Sequence, residues 1–464
     1  MTALVIRNVE VGGRAGLDVR IDAGRVAAIG PGLPRGWEEI DGRGGAVIPG
    51  LADHHIHLFA LAAQADSVAL DDVRDASGLQ ARIAAALADR PPGAWLRATG
   101  YHERMAGELS REALDALAPR NPLRVQHQTG ALWMLNSAAL AAVWQGDAPA
   151  SVERGADGRP TGRIWRGDAW LHQRLGAEPP ALAPLGRRLA AYGITHLTDA
   201  SVTTDAAAAA HLAAAHRSGE LPQRLMLMSG GALTAPGDGA LAVGPLKVLL
   251  DDHALIDLDD FTGRIRQARA WRRPVAVHCV TAAELALTLA AFETAGARPG
   301  DRIEHGGVIP AAAIEPIRAM GLTVVTQPAF VRERGDRYLA EVDPADQPDL
   351  YRCASLQAAG VPVAGSSDAP YASPDPWIGM AAAAQRTTLE GRMLGTGEAV
   401  DAATALSLYL GDPAAPGGPE RRVEVGAAAD LCLLRTPLAD ALAAPGAERI
   451  RATVIAGKVV HQAG

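Results

Sequence analysis

The sequence predicts an α/β protein centred on a (β/α)8 barrel, with a small β-sandwich formed from both chain ends and a large lobe inserted between barrel strands one and two. Three observations lead to this prediction. Short apolar runs alternate with alanine-rich helical stretches at intervals of about 20 to 40 residues, the spacing of βαβ units. Both chain ends are rich in strand patterns, and one interval between apolar runs is much longer than the rest.

Each end of the chain contains a few short strands separated by glycine-containing turns. The N-terminal patterns lie at 4–11, 17–21 and 25–29, and the C-terminal ones at 429–434, 450–455 and 457–460. Neither end has enough strands to be stable alone. We therefore expect residues 1–48 and 412–464 to form one β-sandwich.

Eight apolar runs between these ends are predicted to be the barrel strands. The first run leads directly into residues 49–58, which are assigned to the barrel together with residues 184–411. The strands are predicted to begin near Ala46, Ile194, Arg224, Leu246, Val275, Arg302, Leu322 and Val361.

The long interval comprises residues 59–183, about 125 residues between the first two barrel strands. Such an interval is too long for a connection without structure of its own. It predicts an inserted lobe that covers the active-site end of the barrel.

Composition excludes several classes of protein. The 464 residues are 48% hydrophobic and 21% charged, which excludes a disordered chain. The net charge is −8 and no basic block occurs, which argues against a nucleic-acid partner. No apolar stretch reaches about 18 residues and the N-terminus lacks a signal-peptide pattern, so we expect a cytoplasmic protein without a membrane span.

The chain has only three cysteines, Cys279, Cys353 and Cys432, and they lie far apart. Their spacing provides neither a disulfide framework nor a paired-cysteine metal site. Any metal ion must therefore be held mainly by histidine and carboxylate side chains.

Metal-ligand residue types occur at several predicted strand ends. His55 and His57 share one strand face because side chains alternate, although such a pair alone is more often two ordinary polar side chains. His278, His305 and Asp368 end later strands. Since the C-terminal strand ends of such a barrel carry the active site, these five residues predict a metal centre.

Lys247 lies in the fourth predicted strand of a chain whose 44 cationic residues include only one other lysine, Lys458. The strong preference for arginine implies that a lysine in a buried strand has a chemical role. Its neutral amine can take up carbon dioxide to form a carbamate that bridges two metal ions, a reaction arginine cannot perform. The alternative is a structural lysine whose ammonium group reaches solvent.

These residues, in this order, resemble the amidohydrolase superfamily, and more closely its YtcJ-like branch (amidohydrolase family 3), which includes N-substituted formamide deformylases. The resemblance covers nearly the whole chain, and it is the combination of motifs that is specific. Besides 49–57, it rests on Gly100–Glu103, Asn136–Leu140, Pro160–Gly162, Gly193–Thr195, Arg302–His305, Gln327–Pro328 and Gly365–Asp368.

The resemblance implies roles for the candidate residues. It implies that His55 and His57 bind the metal, that His278 and His305 complete the centre, and that Asp368 is both a ligand and the catalytic base. At the matching strand it implies a carboxylated lysine, Lys247, in members with two metals.

The expected reaction is hydrolysis of a C–N bond in an amide, an N-formyl amine, a cyclic imide or lactam, or a carbamate. One or two divalent ions, Zn²⁺ or another metal, would activate water, and Asp368 would move its proton to the leaving nitrogen. A homodimer is expected only from the resemblance.

Four residues of the predicted lobe are candidates for binding the small-molecule substrate: Tyr101, Glu103, Trp165 and Arg166. They lie beside motifs that the family places near its active site. The alternative is that they make structural contacts within the lobe.

Two other functions remain open. A mononuclear zinc deaminase of a cyclic amidine would use the same histidines and aspartate, but it would carry a glutamate at Thr281, and the nearest glutamate here is Glu284. A non-catalytic binding protein would keep the barrel, but loss of activity usually removes ligands, and none is missing.

Overall fold

The structure is a computed structural model that describes residues 4–146, 149–176, 179–235, 237, 241–252 and 254–463. The chain forms two compact units, one of residues 1–58 and 182–464 and the other of residues 59–181. The finer division into sandwich, barrel and lobe stays a prediction. Among the described residues, no helix combines the length and apolar character that a membrane crossing requires.

Strands and helices are numbered separately in chain order. The strands are β1 (Leu4–Val11), β2 (Arg14–Asp22), β3 (Arg25–Gly30), β4 (Glu38–Asp41), β5 (Val47–Pro49), β6 (Leu51–Ile56), β7 (Val68–Ala69), β8 (Leu96–Tyr101), β9 (Leu123–His127), β10 (Leu132–Leu135), β11 (Val152–Arg154), β12 (Pro160–Trp165), β13 (Ile194–Asp199), β14 (Arg224–Ser229), β15 (Leu241–Val248), β16 (Val275–Cys279), β17 (Arg302–His305), β18 (Thr323–Thr326), β19 (Val363–Gly365), β20 (Leu431–Leu434), β21 (Ile450–Ile455) and β22 (Lys458–Gln462). The α-helices are α1 (Leu58–Gln64), α2 (Ala76–Leu87), α3 (Glu103–Ala106), α4 (Arg111–Leu117), α5 (Ser137–Val143), α6 (Asp168–Leu175), α7 (Ala183–Ala191), α8 (Ala206–Ser218), α9 (Leu258–Ala270), α10 (Ala282–Ala295), α11 (Ala311–Ala319), α12 (Ala329–Glu341), α13 (Ala354–Ala358), α14 (Pro376–Gln385), α15 (Ala402–Ser407) and α16 (Leu438–Ala443).

The core of the first unit is a nearly closed parallel barrel of eight strands, as the sequence predicts. Its strand order is β6, then β13 to β19 consecutively. Hydrogen bonds join the segment after the last strand to the first strand. The amide of Asp368 donates to the carbonyl of His55 at 2.8 Å, and the amide of His57 donates to the carbonyl of Ala369 at 2.9 Å. The buried carboxylate of Asp53 also accepts from the amide and hydroxyl of Ser367, at 3.1 and 2.5 Å.

The predicted position of the first barrel strand is wrong. Residues 47–49 form β5, which pairs antiparallel with β20, and the barrel strand is the next segment, β6. Gly50 separates the two strands where the backbone passes close to β13, because a Cβ there would lie 2.1 Å from Thr195. The two apolar runs are separated by one residue, so strand patterning alone cannot divide them between sheets.

The two chain ends form four-stranded sheets with a common set of buried side chains. One sheet has the order β3-β2-β1-β4 and the other β22-β21-β20-β5. Ile6 and Val19 of the first sheet and Leu431 and Val454 of the second belong to the same apolar cluster.

The second unit has its own sheet and core. Its six strands have the order β11-β12-β10-β9-β8-β7. Side chains from α2, α4 and the strands, including Leu79, Ile83, Leu114 and Leu123, form its main apolar cluster.

Helix α14, which follows the last barrel strand, begins after Asp375, whose carboxylate accepts from the amide of Trp377 at 2.9 Å. Burial, with a smaller effect from Glu448, raises the pKa of Asp375 to about 6 from 3.8. Because the pKa of Asp375 is higher in the folded than in the unfolded state, ionisation of this group lowers the free energy of unfolding. The effect is absent below about pH 4 and complete above about pH 6.

Asp375→Asn is therefore expected to raise the free energy of unfolding at pH 8 by about 1 to 2 kcal/mol, because asparagine keeps the acceptor oxygen but does not ionise. Urea unfolding at pH 8 and pH 4 measures the effect. The gain should disappear at pH 4, and a variant less stable than the parent at pH 8 contradicts the explanation.

Candidate metal centre

The predicted metal ligands all lie at the carboxyl ends of barrel strands, where parallel strands bring distant residues to one rim. His55 is in β6 and His57 directly follows it, Lys247 is in β15, His278 is in β16, His305 ends β17, and Asp368 is in the segment after β19.

The closest group in this set consists of His55, His57 and Asp368. One carboxylate oxygen of Asp368, Oδ1, lies 3.1 Å from Nε2 of His57 and 3.4 Å from Nε2 of His55. The three potential ligand atoms all lie within 4.8 Å of one another. Oδ1 is buried and makes no hydrogen bond within the described part of the chain. Two ring nitrogens and a buried oxygen thus face a common point.

The other three predicted ligands surround this group. The ring centroid of His305 lies 4.8 Å from that of His55, and the ring of His278 lies 4.5 Å from that of His305. The amine of Lys247 is 3.5 Å from Nε2 of His55. The structure therefore brings all six predicted residues together, while their roles as ligands stay predictions.

Burial and charge set protonation states that suit metal binding, which requires neutral imidazoles and ionised carboxylates. Burial, and then the charge of Lys247, holds the pKa of His55 well below its usual range. Burial also lowers the pKa of Lys247, although Glu304 and Asp368 oppose the effect. Burial alone would raise the pKa of Asp368, but His57, His305 and His55 together keep it below its ordinary value.

The backbone is left-handed at two of these positions, with φ of +69° at His305 and +54° at Asp368. Residues other than glycine adopt this conformation rarely and at some cost, and such residues cluster at functional sites. At His305 it interrupts the alternation of β17, so that both Glu304 and His305 reach His55.

Three of the histidines are oriented by partners that sequence reasoning missed. Nδ1 of His55 contacts the carboxylate of Glu304. Nδ1 of His57 lies 3.1 Å from the hydroxyl of Ser201, and Nδ1 of His305 lies 2.9 Å from Oε1 of Gln327. In each ring the partner contacts Nδ1, so Nε2 is the atom that would bind a metal ion. Two of these partners, Glu304 and Gln327, belong to sequence motifs noted above, but the motifs did not indicate what the residues do.

The residues present fit a divalent metal ion. The donor set is histidine and carboxylate, the ligands of zinc and related ions. The fit also rests on a specific observation. The Oδ1 atom of Asp368 is buried between two imidazoles and makes no hydrogen bond within the described residues.

Two neighbouring groups are used for structure. Burial raises the pKa of Cys279 to about 12, and its sulfur contacts the hydroxyl of Thr288 at 3.2 Å, so it is a poor nucleophile. Glu284 caps helix α10 by accepting from the amides of Val280 and Thr281 at 2.7 and 3.1 Å.

The predicted substrate-binding residues lie in the unit of residues 59–181, and their role stays a prediction. Tyr101 is fully buried and donates its hydroxyl to the carbonyl of Gly107 at 2.6 Å. Glu103 lies 3.1 Å from Nε2 of His127. Trp165 and Arg166 are exposed.

Comparison with known proteins places these features in a family. Residues 38–461 match the amidohydrolase family. The chain is 25% identical to N-substituted formamide deformylase of Arthrobacter pascens, over 92% of each chain, and 26% identical to an amidohydrolase, YtcJ, of Bacillus subtilis (strain 168), over 92% of this chain and 90% of that one. The crystal structure of an uncharacterized metal-dependent hydrolase from Pyrococcus furiosus has a TM-score of 0.69 at 19% identity, covering 92% of this chain and 98% of that one.

Proposed function

From the premise that the chain belongs to the amidohydrolase family and hydrolyses C–N bonds, we propose that His55, His57 and Asp368 hold a divalent metal, preferably Zn²⁺, and that Asp368 is the base. The observation that carries the proposal is the buried Oδ1 atom of Asp368, which faces Nε2 of both histidines without a hydrogen bond. His278 and His305 would complete the centre.

A divalent ion in such a site lowers the pKa of water and polarises a carbonyl group. The chain's own residues do the rest. Asp368 is ionised and buried, so it accepts the proton of the attacking water at its carboxylate and delivers it to the leaving nitrogen. The amide bond breaks as the nitrogen receives this proton, giving an acid and an amine.

We propose that the neutral amine of Lys247 reacts with carbon dioxide, releasing one proton and forming a carbamate, which would bridge two ions if both were bound. Support comes from its place on the rim, its burial and its distance of 3.5 Å from Nε2 of His55. If the amine stays unmodified, the histidines and Asp368 still provide a site for one ion.

The proposed substrate is a small amide, N-formyl amine, cyclic imide, lactam or carbamate. An N-formyl amine comes first, because the relative from Arthrobacter pascens is named for the deformylation of N-substituted formamides and matches 92% of this chain. Specificity is proposed to involve Tyr101, Glu103, Trp165 and Arg166.

Deamination of a cyclic amidine is the weaker hypothesis. The nearest glutamate after His278, Glu284, accepts two backbone amides at the start of α10 and is therefore committed to holding that turn. A proton shuttle would have to break these hydrogen bonds.

Assay of a substrate panel with added Zn²⁺ tests the proposal. We expect hydrolysis of at least one N-formyl amine, amide, imide or carbamate. His57→Ala should lower the rate about 10²-fold or more, because it removes a proposed metal ligand. The variant should fold, since the side chain of His57 is partly exposed. His211→Ala, in helix α8, is the matched control. Turnover of cyclic amidines alone, or equal activity in His57→Ala, contradicts the proposal.

A further inference from the structure

We propose that Glu304 is a positioning residue for His55: it accepts the Nδ1 proton of that ring and so presents the Nε2 lone pair to the centre. This inference rests on the proposed function for its consequence, metal binding. The contact on which it is built, between two fully buried side chains, is independent of any metal.

Glu304 is held from both sides within the barrel. One carboxylate oxygen contacts Nδ1 of His55, and the other accepts from Nε of Arg302 at 2.5 Å. Arg302 is itself buried and donates from Nη2 to the carbonyl of His54 at 2.9 Å. The guanidinium is thus anchored to the strand that carries His55, and it holds the carboxylate against Nδ1 of that ring.

This contact decides the tautomer of His55. The guanidinium of Arg302 is only a donor and takes one oxygen of Glu304, so the remaining oxygen is placed to accept the Nδ1 proton of His55. Nε2 of the neutral ring then has a lone pair, and this atom faces Asp368 at 3.4 Å and Lys247 at 3.5 Å. In the opposite tautomer Nε2 would carry the proton and would have no lone pair for a metal ion.

The partners of the other two rings differ in kind. The amide of Gln327 is oriented because its nitrogen lies 2.9 Å from the hydroxyl of Ser366, which itself donates to the carbonyl of Thr326. Its oxygen therefore faces His305 as a neutral acceptor. Ser201 beside His57 can donate or accept. Of these three partners, Glu304 alone is a carboxyl group paired with an arginine, so we expect it to have the greatest influence on its ring.

A matched buried pair separates positioning from general stabilisation. Glu398 is also buried, accepts from Nη1 of Arg352 at 2.5 Å, and contacts none of the predicted ligands in the described structure. Glu304→Gln and Glu398→Gln each break a buried Arg–Glu pair, but only the first changes the partner of His55.

The tautomer can be measured in the metal-free parent. We expect the ring ¹⁵N chemical shifts of His55, assigned by comparison with His55→Gln, to show a protonated Nδ1 and an unprotonated Nε2. A parent protein with the proton on Nε2 overturns the proposal, and this measurement needs no variant of Glu304 to fold.

Titration with Co²⁺, followed by its visible absorption, tests the consequence. Glu304→Gln should bind Co²⁺ about 10- to 100-fold more weakly than the parent, whereas Glu304→Asp, which keeps the carboxylate, should lose less. Glu398→Gln should bind like the parent even if it melts at a lower temperature. Equal weakening in Glu398→Gln, or parent-like affinity in Glu304→Gln, overturns the proposal.

The two proposals fail in different ways. If the parent binds no Co²⁺ at all, the proposed metal centre is wrong, whatever the tautomer of His55. If the parent binds Co²⁺ and Glu304→Gln binds it equally well, the metal centre stands and the role of Glu304 is wrong.

Discussion

Asp368→Asn is expected to lower kcat by about 10²- to 10⁴-fold, the usual contribution of a positioned general base. The amide of asparagine does not take a proton from water at neutral pH, and its oxygen is a weaker metal ligand than a carboxylate. The measurement is kcat on the best substrate of the panel, with Zn²⁺ in excess so that occupancy does not limit the rate.

Asp375→Asn is the matched control, since it changes another aspartate after the last barrel strand, one that is half-buried and caps α14. It should keep the parent's kcat. If Asp368→Asn retains kcat within about tenfold of the parent, Asp368 is not the base, and a second acceptor must be sought among the groups at the rim.

Lys247→Ala is expected to reduce the metal content from about two ions per chain to one or fewer when bicarbonate is present, because the variant has no amine to form the bridging carbamate. The expected loss of activity follows from losing the second ion. Metal analysis after gel filtration, beside a rate assay, gives both quantities.

The chain provides a strict control for this experiment, because Lys458 is its only other lysine and lies exposed in β22. Lys458→Ala should behave like the parent, and Lys247→Arg, which keeps a cation but forms no carbamate, should behave like Lys247→Ala. About one ion per chain in parent and Lys247→Ala alike would assign Lys247 a structural role.

Sequence patterns predicted the barrel and the grouping of its rim residues because both depend on local regularities. Buried strands separated by helices are visible as apolar runs, and parallel pairing brings their carboxyl ends together without further information. His278 and His305 could therefore be expected near His55. In the structure the ring centroid of His305 lies 4.5 Å from that of His278 and 4.8 Å from that of His55.

Features that depend on tertiary pairing could not be predicted in this way. Val47–Pro49 and Leu51–Ile56 have the same local character, and their partners, β20 and β13, decide which sheet each joins. Likewise, alternation along β17 separates Glu304 from His305, and the left-handed backbone at His305 removes that separation. Ser201, which contacts Nδ1 of His57, lies 144 residues away from it in the sequence, so no local pattern links the two.

The central claim is that His55, His57 and Asp368 hold a metal ion that the enzyme needs. Metal content per chain, measured by mass spectrometry on protein purified without added metal, tests it most directly when the parent is compared with His57→Ala. We predict one to two divalent ions per chain in the parent and a large loss in the variant. A parent that is folded, active and free of metal would contradict the claim.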